Sequence, residues 1–70
     1  MEYTREQLVE ARRQIDSALH KLRETIKTFE AKEEPQRYKS QITLARRRVE
    51  AFTIANDLIG RELAGERQEA

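Results

Sequence analysis

Seventy residues with 14 Lys+Arg against 13 Asp+Glu, a net charge of +1, make one domain at most, with a mixed, solvated surface rather than one that seeks polyanions. The chain has no cysteine, which excludes disulfides, thiolate metal sites and thiol nucleophiles, and its single histidine, His20, excludes a His-rich metal site within one chain. No run approaches the roughly 18 apolar residues that a bilayer span needs, and Met1-Glu2-Tyr3-Thr4 lacks the basic and then apolar character of a leader, so a cytoplasmic protein with no membrane contact is expected.

Thr4 reads as a helix N-cap, because Gln7 three residues later completes a capping box and Tyr3 is positioned to staple onto Leu8. From there to about residue 33 the chain has no Gly or Pro, and Leu8, Ile15, Leu22 and Phe29 at heptad position d alternate with Arg12, Leu19, Ile26 and Glu33 at position a. This is helix 1, expected over residues 4–33, a rod on the order of 40 Å long at about 1.5 Å per residue. The polar stretch A-K-E-E-P-Q follows, and Pro35 both lacks an amide hydrogen and biases Glu34 away from helical geometry, which sets a turn at about 33–36. Pro also suits the first turn of a helix, so helix 2 is expected over 36–64. Its ladder is Tyr38, Ile42, Ala45, Val49, Phe52, Asn56, Ile59 and Leu63, again in 4,3 alternation. Gly60 weakens this helix, and Gly65 is expected to cap it, with 65–70 a frayed tail.

A connection this short makes neighbouring helices antiparallel. Core partners then have residue numbers adding to a constant, and 71 works throughout: Phe29 with Ile42, Leu22 with Val49, Ile15 with Asn56, Leu8 with Leu63. That register is centred between Pro35 and Gln36, where the turn was placed on other grounds. The expected fold is all-α, an antiparallel two-helix coiled-coil hairpin. Two helices of this length bury little apolar surface, so something must supplement their core. Helix 2 carries Leu44, Ala51 and Leu58 at position c and Ala55 at g, and helix 1 carries Ala11, Ala18 and Thr25 at g on the same side of the hairpin. A flat small and apolar face of this kind marks a contact site. A second copy is the simplest cover, giving a four-helix bundle by homodimerisation.

Chemistry has little to work with. Asp16, His20 and Glu24 share one helical stripe, but His20 falls at heptad b, outside the seam, where a charge pattern on a solvated face is the better reading than a metal site. There is no nucleophile elbow, glycine-rich phosphate loop or H-E-x-x-H, and nothing marks a water-excluding pocket for acid/base work, so neither enzymatic activity nor a cofactor is expected. Arg46, Arg47 and Arg48 cover about 200° of helix circumference, so they cannot address one phosphate strip together. Arg46 shares the e edge with Lys39 and Arg23, but Glu30 and Asp16 on that edge offset it. Arg12 and Asn56 are polar residues inside the ladders, and the expected role is to set register, with the Arg12 guanidinium reaching Asp16 or Asp57 while its stem covers Ile59. The alternative for this pair is a polar notch that receives a partner's side chain.

The pattern Tyr3, Thr4, Glu6, Leu8, followed by Ser40, Gln41, Thr43, Leu44, Arg47, Ala51, Ile54, Ala55, Leu58 and Ile59, resembles a family of short helical proteins of Firmicutes-type bacteria to which no activity is assigned. The resemblance spans most of the chain and implies a bacterial cytosolic protein. It also draws attention to Ser40–Leu44, where polar Ser40, Gln41 and Thr43 surround Leu44 on the outer stripe.

Two functions are compatible with these features. The first is a non-enzymatic structural or protein-interaction module that self-associates through the apolar face and offers its remaining surface to another protein. The alternative is a small dimeric nucleic-acid-associated regulator using Arg23, Lys39, Arg46, Arg47 and Arg48, although a charge of +1 lacks the basic excess that phosphate binding normally requires.

Overall fold

The computed structural model describes residues 2–68. Two long helices, α1 (Arg5–Glu30) and α2 (Lys39–Gln68), account for most of them, joined through a short 3₁₀ turn at Pro35–Tyr38, with no strand among the described residues.

Thr4 starts α1 by the expected device: its Oγ1 accepts from the Gln7 amide at 3.1 Å, and the Gln7 side-chain carbonyl accepts from the Thr4 amide at 2.9 Å. Two of the orphan amides at the helix start are thereby satisfied. Tyr3 closes over Leu8 less than the staple would suggest, remaining 58% exposed although Leu8 is buried. At the other end α1 stops three residues earlier than expected. The Ala31 amide still donates back to the Lys27 carbonyl at 3.0 Å, and the Lys32 amide turns to the Phe29 carbonyl at 3.2 Å. Glu34, preceding proline, takes φ −125° and ψ 75°, outside the helical region. Pro35 then opens the 3₁₀ turn rather than α2 itself. The Phe29 and Tyr38 rings, 4.9 Å apart and 22° from parallel, stack across the connection and tie the last turn of α1 to the entry of α2.

α2 continues to Gln68, so Gly65 lies inside the helix and not at its cap. Neither glycine has a positive φ, so neither adopts the left-handed geometry of a helix-terminating residue. A glycine costs only about 1 kcal/mol inside a helix, and the favourable helix formers on both sides carry the segment through it. Of the proposed tail, positions 69 and 70 lie outside the described residues.

Contacts between the helices run in opposite order along them. Glu30 meets Arg46 near the turn, Asp16 meets Asn56 further along, and Arg12 lies against Gly60 beyond that. Every ladder position is buried or half-buried except Arg12 and Glu33. Leu8, Leu19, Ala45 and Leu63 are the buried hydrophobic residues, and no described side chain falls below 2% exposure. The body measures 54 × 19 × 15 Å, one helix thick, so each ladder is covered from one side only.

Candidate interaction surface

The consequence of that thin core is an apolar surface left in water. Leu44 is 48% and Leu58 56% exposed, one heptad step on either side of exposed Ala51, with half-buried Ala55 beside them. On α1, Ala11 and Ala18 are half-buried and Thr25 is exposed. The Thr25 hydroxyl donates to the Lys21 carbonyl at 2.9 Å, which satisfies it within its own helix.

Ile54, at heptad position f and so outside the c and g positions, is 54% exposed and widens the stripe. The spacing Ala51, Ile54, Leu58 is itself a 3,4 repeat, which could have identified it. Val9, on the e edge of α1, is a further exposed aliphatic residue.

The basic residues do not converge. Arg46 forms an ion pair with Glu30 across the two helices, in line with the expected cancellation along the e edge. Lys39 and Arg23 are both exposed, Lys39 at the entry of α2 and Arg23 well down α1. Arg47 and Arg48 are exposed, and neither has an ion-pair or hydrogen-bond partner among the described residues. Several of the other cations are paired with acids three or four positions away, as in Arg13–Glu10 at 3.8 Å, Lys27–Glu24 at 3.1 Å and Arg61–Asp57 at 3.2 Å. Such exposed pairs contribute about 0.3–0.5 kcal/mol each.

The polar layer is arranged differently from expectation. Asn56 Nδ2 donates to Asp16 Oδ1 at 2.6 Å, while Asn56 Oδ1 is buried with no hydrogen-bond partner among the described residues. The Arg12 guanidinium does not reach Asp16 or Asp57. It settles over Gly60, where a Cβ would stand 3.4 Å from Arg12 Nη1. The absent side chain at 60 makes the room, and Asp16 is already engaged by Asn56. Together these residues line an open groove of about 510 Å³ on the e edge, the side of the seam away from the c/g face. Asp16 and Glu24 are thus occupied by Asn56 and Lys27, and among the described residues no three His, Asp or Glu side chains come together in a metal-binding group. No described helix is long and apolar enough to cross a membrane.

Compared with protein-family models, curated proteins and solved structures, the chain matches none of them.

Proposed function

We propose that the chain is a non-enzymatic protein-interaction module whose two helices form an antiparallel coiled-coil hairpin, and that it self-associates into a four-helix bundle through the face built from Leu44, Ala51, Ala55, Leu58, Ala11, Ala18 and Thr25. The observation that carries this reading is the pairing of a thin core with two leucines about half exposed on one stripe. Full burial of a leucine is worth about 1.5–3 kcal/mol. Four half-exposed leucine side chains in a dimer therefore contribute about 3–6 kcal/mol, and the small residues beside them let the helices approach closely enough to realise it. A hairpin of this size is marginal alone, so association and folding are expected to be linked.

The test is the double substitution Leu44→Glu/Leu58→Glu, compared with the parent chain by sedimentation equilibrium. Two buried carboxylates per copy would have to be desolvated in the assembly, so the variant should sediment as a monomer where the parent is a dimer. Equal masses for the two chains would count against the reading.

A further inference from the structure

We infer that two copies pack α2 against α2 in opposite directions about a two-fold axis level with Ala18 on α1 and midway between Ala51 and Ala55 on α2, closed by reciprocal Arg48–Glu62 ion pairs. This deepens the self-association reading and rests on it.

The outer ladder of α2 is Leu44, Arg48, Ala51, Ala55, Leu58 and Glu62, spaced 4, 3, 4, 3, 4. In a two-fold antiparallel pair, facing residues have numbers adding to a constant. A constant of 106 sets Ala51 opposite the second copy's Ala55, so the smallest side chains meet at the axis and the backbones approach closely there. Leu58 then lies under the aliphatic stem of the second copy's Arg48 and Leu44 under that of its Glu62, which brings the guanidinium and the carboxylate within one turn of each other. Arg48 and Glu62, of opposite charge and both on this ladder, have no partner within the chain among the described residues, as is also true of Arg47, Lys39 and Glu50, so both are free to pair with a second copy.

α1 supplies a separate check. The Asp16–Asn56 and Arg12–Gly60 contacts have residue numbers adding to 72, which places position 53, the midpoint chosen on α2 alone, beside position 19 of α1. Ala18 is its immediate neighbour, with Ala11 and Thr25 one heptad to either side, so the axis falls within one residue of the centre of the α1 stripe. Sliding the copies to a constant of 99 would bring two Arg48 side chains together beside the axis; sliding to 113 would carry the midpoint past Asn56 and away from Ala18. The broad face of a body 54 × 19 Å projects on the order of 1,000 Å², room enough for the ~800 Å² that each partner of a standard interface buries.

The experiment combines charge exchange with cross-linking, each read by sedimentation and with helicity checked by circular dichroism. Arg48→Glu and Glu62→Arg should each weaken the dimer about tenfold by setting like charges together, and the double variant should return to within about twofold of the parent. Ala18→Cys, in a chain with no other cysteine, should oxidise to a disulfide-linked dimer, because its Cβ faces its own symmetry mate near the axis. If the parent chain is a dimer but the double variant is not restored, or if Ala18→Cys cross-links only when mixed with Ala55→Cys, α1 of one copy faces α2 of the other and this arrangement is overturned while self-association stands. A parent chain that is monomeric throughout overturns both.

Discussion

Replacing Gly60 with alanine should stabilise the protein, and the structure sets the size of the gain. Gly60 lies in the interior of α2 with ordinary helical backbone geometry, so alanine introduces no φ strain. The intrinsic gain is about 1 kcal/mol. Against it stands one contact: the new Cβ would meet Arg12 Nη1 at 3.4 Å, tight enough that the guanidinium must give by a few tenths of an ångström. That group is the far end of a flexible side chain with no ion pair to lose among the described residues, so the shift costs little. The net is about 0.5–1 kcal/mol, or roughly 3–6 °C in melting temperature for a domain of this size. The assay is thermal unfolding followed by far-ultraviolet circular dichroism at one fixed protein concentration, since association makes the midpoint concentration-dependent. Gly65→Ala, whose Cβ would meet nothing within 4 Å, is the companion variant and should gain less, because it sits in the last turns of α2 where fraying dilutes propensity. A Gly60→Ala chain that melts lower than the parent, and still melts lower in an Arg12→Ala background, would refute the reasoning, because neither backbone strain nor the Arg12 contact could then account for the loss.

Three further outcomes are expected. Thr4→Ala removes the acceptor of the Gln7 amide and should cost about 1 kcal/mol, read by the same thermal assay, with Thr4→Ser restoring most of it. Asn56→Leu replaces a half-buried amide with one unpaired oxygen by an apolar seam residue, so it should raise the melting temperature while loosening the register, seen as broadened interhelical signals in nuclear magnetic resonance spectra. Titration into labelled duplex DNA and RNA should show no micromolar, salt-steep binding, because Arg46 is engaged by Glu30 and Arg47 and Arg48 diverge around the helix.

The elements that repeat were legible in the amino-acid sequence, and the elements decided by a single contact were not. The capping box at Thr4 and Gln7 and the two apolar ladders follow from local rules that each apply several times over; the structure forms the capping box and buries or half-buries every ladder residue except Arg12 and Glu33, the latter beyond the end of α1. The 3₁₀ turn at Pro35–Tyr38 was not legible, because Pro35 satisfies the first turn of either helix type and the outcome is coupled to the Phe29–Tyr38 stack. Gly65 was misread as a cap because propensity at one residue is a small term beside that of the whole helix around it. Arg12 was sent toward the acids by charge alone, whereas the space above Gly60 and the prior engagement of Asp16 by Asn56 direct it elsewhere. The outer face was legible at Leu44 and Leu58 but narrower than it is, since Ile54 belongs to a second 3,4 repeat offset from the seam.

The most direct test of self-association is sedimentation equilibrium of the unmodified chain over a wide concentration range, with helicity followed in parallel. A dimer is expected, whose dissociation on dilution is accompanied by loss of helicity. A fully helical monomer at every concentration would contradict it and would leave the Leu44–Leu58 face free for a different partner.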